Sequence, residues 1–347
     1  MRPYASDMYP AAARALAELP RVALAHLPTP LERLPQLGEA FGLANLWVKR
    51  DDCTGLATGG NKARKLEFLI AEARARGCDT VITTGGLQSN HARMTAAAAN
   101  RYGLHAVLAL SDPAPASLAE WQGNLLIDRI LGAEVRFSDG LSYTETHDWL
   151  AAIATELREK GRNPYIIPVG GSTPLGCLGY ATAMAELAAQ ARERDLTIHA
   201  CVSAVGSTGT LAGMLLGQRL FLSQTRVIGI SVASPVAFGA RKGAGIASAA
   251  AERLGAGGAF SPDDIELYDD WLGDGYAVPT ADGLEVIHQA ALLEGLLIDP
   301  VYTGKALAGL RGLARRGEIY PEQNVVFWHT GGAAALFAFA ELFTTEK

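Results

Sequence analysis

Lys49-Arg50-Asp51-Asp52-Cys53-Thr54-Gly55-Leu56-Ala57-Thr58-Gly59-Gly60-Asn61-Lys62-Ala63-Arg64-Lys65-Leu66-Glu67 joins the two patterns from which the fold is read. Before it, Leu46–Lys49 has the length and apolar content of a buried strand. After it, Ala63–Arg76 carries a longer helical pattern that stops at Gly77, a residue suited to the left-handed turn after a helix. Working outward, further strands are predicted at Thr80–Thr84, Ala106–Leu110, Glu134–Phe137, Tyr165–Pro168, His199–Ala204, Arg226–Val232 and Val325–His329. Helices are predicted at Ala92–Tyr102, Leu118–Leu131, Thr144–Lys160, Leu178–Arg194 and Leu284–Leu293, with Gly103 and Gly132 as further stops. Short apolar runs alternating with helices imply parallel strands joined by right-handed crossovers and covered on both faces, a three-layer α/β architecture. The Ala- and Gly-rich stretch Ser234–Ser261 fits neither pattern.

The chain has 347 residues, 49% hydrophobic and 19% charged, with a net charge of −6, as an ordinary globular protein has. An acidic balance argues against nucleic-acid binding. Met1–Leu27 has no continuous apolar core and no later stretch is an apolar span, so a cytoplasmic protein with no membrane contact is expected. Cys53, Cys78, Cys177 and Cys201 lack CxxC spacing and the seven histidines form no HExxH, so neither metal nor disulfide is expected.

In open parallel sheets, ligands sit beyond the carboxyl ends of the strands. Glycines cluster at such places: Gly55–Gly60, Gly85–Gly86, Gly170–Gly171, Gly206–Gly209 and Gly331–Gly332. Lys62 opens a helix, where the dipole opposes a cation and lowers its pKa, as amine chemistry requires. The alternative is a solvated lysine in a basic run with Arg64 and Lys65. Gln88-Ser89-Asn90-His91 follows a strand and can either cap a helix or receive a carboxylate. Gly206-Ser207-Thr208-Gly209-Thr210 joins a strand to a helix and suits a phosphate, though it lacks the lysine of a nucleotide-binding P-loop. Gly275–Pro279, Asp299–Lys305 and His329–Gly332 are ambiguous alone.

Together these segments resemble the tryptophan-synthase-β-like, fold-type II enzymes that use pyridoxal 5'-phosphate (PLP). The resemblance is to the branch holding D-cysteine desulfhydrase, L-cysteate sulfo-lyase and 1-aminocyclopropane-1-carboxylate deaminase, and nearest to the first. It implies two open, mainly parallel sheets, with residues 63–169 forming a small domain inserted into a large cofactor-binding one of residues 1–62 and 170–347. It implies that Lys62 carries PLP as a Schiff base and moves the Cα proton, with Asn61 beside it in the cofactor site. Asn90 would bond the cofactor's phenolic oxygen, and Gly206, Ser207, Thr208, Gly209 and Thr210 its phosphate. Ser89, with Gln88 and Asn90, would hold the substrate carboxylate, while Tyr276 and Tyr302 flank the substrate and assist proton transfer. Thr303 and Thr330 stand where the cyclopropane deaminases resemble Glu and Leu. A hydroxyl rather than a carboxylate at the pyridine nitrogen weakens the electron sink and favours β-elimination from a small amino acid, with D-cysteine giving pyruvate, ammonia and sulfide. L-cysteate with sulfite leaving is the alternative, cyclopropane ring opening is disfavoured, and a non-catalytic phospho-ligand binder is remote. Ala277 departs from the glycine usual after the first tyrosine. The resemblance also implies a homodimer.

Overall fold

The computed structural model describes residues 8–117, 120–138 and 140–344. Its strands are β1 (Leu31–Arg33), β2 (Asn45–Arg50), β3 (Thr80–Gly85), β4 (His105–Leu110), β5 (Glu134–Phe137), β6 (Pro164–Ile166), β7 (Ala200–Val205), β8 (Arg226–Ser231), β9 (Glu266–Tyr268) and β10 (Asn324–His329). They form a six-stranded sheet in the order β1-β2-β10-β7-β8-β9 and a four-stranded sheet in the order β5-β4-β3-β6. Every pairing is parallel except β1 with β2, so the expected α/β architecture with two open, mainly parallel sheets is present. All eight predicted strands are present, within one or two residues of their expected bounds. The edge strands β1 and β9, three residues each, had no signal.

Side chains alternate across each sheet and meet helices on both sides. On β10, Val326 and Trp328 join the core under helices Pro174–Glu193, Gly209–Phe221 and Val236–Leu254. Val325 and Phe327 face the core beneath helices Pro35–Phe41, Ala281–Glu294 and Thr303–Arg315. In the smaller sheet, Val81 and Leu108 pack under helices Lys62–Ala75 and Asn90–Arg101, while Ile82 and Val107 meet helix Tyr143–Glu159. The predicted helix Leu118–Leu131 is seen as Gly123–Ile130, and the positions Leu118 and Ala119 lie outside the described residues. The unassigned stretch from Ser234 holds a 19-residue helix, Val236–Leu254.

A buried ion cluster fastens the segment that leads to Lys62. Asp51 accepts from Arg64 Nε (2.9 Å) and Nη2 (2.8 Å), from Tyr180 Oη (2.6 Å) and from Trp328 Nε1 (2.9 Å). These cationic and neutral donors hold its carboxyl down at about 2 despite complete burial. Glu186 pairs with both Lys49 and Arg64, so β2, β10 and helix Pro174–Glu193 converge on this loop. Among the described residues no helix is long and apolar enough to cross a membrane, and no group of three His, Cys, Asp or Glu could hold a metal.

Candidate active site

Lys62 is the first residue of helix Lys62–Ala75, as the glycine-to-helix pattern requires. Its Nζ donates to Asn61 Oδ1 (2.7 Å), and Asn61 Nδ2 donates to Thr210 Oγ1 (3.1 Å). The Asn61 amide donates to the Thr330 carbonyl (2.9 Å). One asparagine therefore joins the lysine, the Gly206–Thr210 turn and the end of β10. Burial first, and the neighbouring Arg93 charge second, pull the Lys62 amine down to about 8; Asp299 opposes them. Arg64 and Lys65 are 2% and 1% exposed, which rules out a solvated basic face. The lowered pKa expected at Lys62 is present, with burial and Arg93 as its causes.

The Gly206–Thr210 turn leads from β7 into helix Gly209–Phe221, with Thr208 in the left-handed region at φ +71° and capping nothing with its side chain. Strain of this kind persists where the surroundings over-determine the backbone. Here Ser172, which the sequence did not single out, supplies the brace: its Oγ donates to Ser207 Oγ (2.8 Å) and accepts from the Gly209 amide (3.1 Å). Gly170, at φ +67°, lets this second turn approach, since a Cβ there would lie 1.9 Å from Ser207 Oγ.

Across the cleft, Ser89 caps helix Asn90–Arg101 by accepting from the Ala92 amide (3.1 Å), so the capping reading of this serine holds in the structure. Its hydroxyl proton remains available to a ligand. Asn90 Oδ1 accepts from Asn124 Nδ2 (3.0 Å), which leaves its own amide nitrogen for the cleft. His91 Nε2 bonds Thr83 Oγ1 (2.8 Å), and burial holds this imidazole neutral. Tyr276 and Tyr302 meet edge to face, ring centroids 5.8 Å apart, with their hydroxyls hydrogen-bonded. Desolvation at the cleft raises both phenols, Tyr276 to about 12 although the residue is 39% exposed, so both are protonated at neutral pH. Ala277 takes φ +62°, a left-handed conformation that costs roughly 1 kcal/mol in a non-glycine residue.

The cleft has a volume of about 300 Å³. Of the sequence-predicted residues, Asn61, Lys62, Ser89, Asn90, Gly206, Ser207, Thr208, Thr210, Tyr276, Tyr302 and Thr330 line it. Three do not. Gln88 is consumed by the neighbouring helix start, its Oε1 accepting from the Asn124 amide (2.9 Å) and its Nε2 donating to the Gln122 carbonyl (3.1 Å). Gly209 is engaged with Ser172 behind the turn. Thr303 turns its hydroxyl to Asp299 Oδ1 (2.6 Å), away from the cleft. The wall that the sequence left unassigned supplies Phe238 and Lys242, and helix Tyr143–Glu159 supplies Thr146 and His147. No Asp or Glu is among the described residues lining the cleft.

A model of the pyridoxal-phosphate dependent enzymes matches residues 22–331. The chain belongs to that family. As a family member it is similar to the D-cysteine desulfhydrase of Yersinia enterocolitica, 42% identical over 326 residues that cover 93% of this chain and 97% of the relative. The D-cysteine desulfhydrase of Klebsiella pneumoniae is equally identical over the same shares. A solved structure described as an ACC deaminase homologue superposes with a TM-score of 0.88 at 39% identity, covering 96% of this chain and 98% of that one. The residues present fit a PLP-sized ligand: a lysine with a lowered pKa faces a glycine-serine turn whose own side chain does not cap the helix. A cleft wall without carboxylates favours the dianionic phosphate.

Proposed function

We propose that this PLP enzyme removes the β-thiol of D-cysteine, with one water consumed and pyruvate, ammonia and sulfide released. The observation that carries this reading is the Asn61 bridge, which sets the Lys62 amine and the Gly206–Thr210 turn on one cleft. PLP bound there would supply the electron sink at Cα that allows a group to depart from Cβ. The Lys62 amine, unprotonated in useful fraction near its pKa of about 8, binds the cofactor and then moves the Cα proton. The Ser89 hydroxyl, with the Asn90 amide beside it, orients the substrate carboxylate at the start of a helix whose dipole favours an anion, and the Asn90 side chain would also bond the cofactor's phenolic oxygen. The hydrogen-bonded hydroxyls of Tyr276 and Tyr302, protonated at neutral pH, deliver a proton to the departing sulfur. The Gly206–Thr210 amides and hydroxyls would hold the phosphate, with Gly209 acting from behind through Ser172. Thr303 acts through Asp299, and Gln88 acts through Asn124. Without a carboxylate along the cleft the electron sink stays weak, which suits elimination of a good leaving group and disfavours ring opening.

Lys242 and His147 on the cleft wall favour a second reading, L-cysteate with sulfite leaving. D- and L-cysteine, β-chloroalanine, L-cysteate and the cyclopropane amino acid, screened for 2-oxo acid with sulfide and sulfite measured separately, decide between them. Sulfide from D-cysteine is the expected result, lost in Lys62→Ala by at least three orders of magnitude. Sulfite from L-cysteate with no sulfide from either cysteine would replace the first reading by the second. The chain is further proposed to act in the cytoplasm as a homodimer. Exposed Leu126 and Ile130, on a helix that adjoins the segment bearing exposed Phe337, form the apolar surface offered to a second copy. Light scattering at twice the 36.5 kDa chain mass is the expected outcome.

A further inference from the structure

Arg93 was not singled out by any motif, yet its guanidinium is fully buried and reaches three places at once. Nη1 donates to Thr58 Oγ1 (2.8 Å) and to Asn124 Oδ1 (3.0 Å), and Nη2 donates to the Gly59 carbonyl (2.8 Å). Thr58 and Gly59 have left-handed φ values of +70° and +79° and stand four and three residues before Lys62. Asn124, held by Arg93 at its oxygen, donates from its nitrogen to Asn90 Oδ1 (3.0 Å) and to the Gln88 carbonyl (2.9 Å). A planar fork with several fixed donors can hold such divergent acceptors, and a lysine cannot.

We propose that Arg93 is the positioning residue of this site. It clamps the strained Thr58–Gly59 segment that aims Lys62 and, through Asn124, fixes the amide of Asn90 on the opposite wall. One side chain from helix Asn90–Arg101 thereby sets the spacing between the amine on one side of the cleft and the hydrogen-bond donor on the other. The inference rests on Lys62 as the cofactor-bearing amine. Its charge acts as well as its geometry. Arg93 forms no ion pair within 4.0 Å among the described residues, and Asp128, its acidic neighbour, makes no hydrogen bond to it. The charged and titratable groups around Lys62 are Arg93, Asp299, Lys65 and His91, of which Lys65 and His91 are pushed toward neutrality by burial. Arg93 is thus the standing positive charge that favours the neutral amine.

Two variants separate geometry from charge. In cofactor-free protein, competitive acetylation of Lys62 followed across pH by peptide mass spectrometry reads the amine directly. Arg93→Met should move the midpoint upward by roughly half a unit or more. Arg93→Lys keeps the charge and loses the fork, so its midpoint should stay near the wild-type value. Its PLP dissociation constant should nevertheless rise roughly ten- to a hundredfold. Asn124→Ala cuts the arm to Asn90, together with the bond to the Gln88 carbonyl, and leaves the Arg93 bonds to Thr58 and Gly59 in place, so it should weaken PLP binding with the Lys62 midpoint unchanged. Wild-type PLP affinity in either Arg93→Lys or Asn124→Ala overturns the proposal, as does an unmoved midpoint in a folded Arg93→Met. If Arg93→Met does not fold, the two other variants decide. A borohydride label on a lysine other than Lys62 sinks the functional reading instead, and so is told apart from a failure of this one.

Discussion

Asp128 is a buried carboxylate that no donor satisfies: neither oxygen has a hydrogen-bond partner, and the side chain is wholly enclosed. Burial raises it to about 8, with Arg93 pulling weakly the other way. The sign of its effect on stability follows from proton counting. Between its ordinary value of 3.8 and about 8, the folded protein binds the proton that the unfolded chain has lost, so stability falls as pH rises through that window. Asp128→Asn removes the ionisation with little change of shape. Thermal unfolding should show the variant close to wild type near pH 4, increasingly more stable than it as pH rises toward 8, and more stable at pH 9 by on the order of a few kcal/mol. A variant whose midpoint falls with pH as steeply as the wild type would show that Asp128 does not carry this dependence. The same residue explains why the Arg93 charge stays effective at neutral pH: Asp128, the acidic group that opposes it among the described residues, is largely protonated there.

Helix Pro174–Glu193 positions the Lys62 helix by touching it closely. A Cβ at Gly179 would lie 2.3 Å from the Arg64 carbonyl oxygen and 2.8 Å from the Lys65 amide nitrogen, both backbone atoms that cannot swing aside. Gly179→Ala must therefore separate the two helices, at a cost of about 1–3 kcal/mol in denaturant unfolding, with a weaker grip on PLP as Lys62 shifts. Wild-type values for both would mean that the contact yields freely. This contact was invisible in the sequence, where Gly179 is one glycine in an Ala-rich helix. Most of the eight predicted strands were legible because parallel strands covered on both faces read as apolar runs, and three-residue β6 was legible because its run continues into buried Ile167. β1 and β9 were not: each is a three-residue edge with a single buried side chain, Leu31 and Leu267. Helix Val236–Leu254 buries Gly239, Ala240, Gly243, Ala244, Ala247, Ala250, Ala251 and Leu254, a helical period written almost wholly in alanine and glycine, and so carrying little hydrophobic contrast. Lys62, Ser89, Asn90 and the Gly206–Thr210 turn were legible because glycines and caps mark local geometry. Arg93, Asn124 and Ser172 were not, since their partners lie 31 to 37 residues away in the chain.

At the scale of the molecule, the cleft takes one wall from each sheet. The Gly206–Thr210 turn follows β7 of the larger sheet, and Ser89 and Asn90 follow β3 of the smaller one. A ligand that touches both walls must stabilise both, whereas one that fits only the turn should leave the smaller sheet as it was. Binding at a hundredfold excess over the dissociation constant adds about 2.7 kcal/mol to the stability of whatever it binds. PLP added back to cofactor-free protein should therefore raise the unfolding temperature by several degrees. Hydrogen exchange should slow at the start of helix Gly209–Phe221 and at the start of helix Asn90–Arg101 alike. Inorganic phosphate, at concentrations that saturate it, should slow exchange only at the Gly206–Thr210 turn. Pyridoxal, which lacks the phosphate, should do the reverse once Lys62 has captured it. Protection by PLP confined to the larger-sheet side would mean that Asn90 does not meet the cofactor, and the two walls would then be joined by the Arg93 clamp alone.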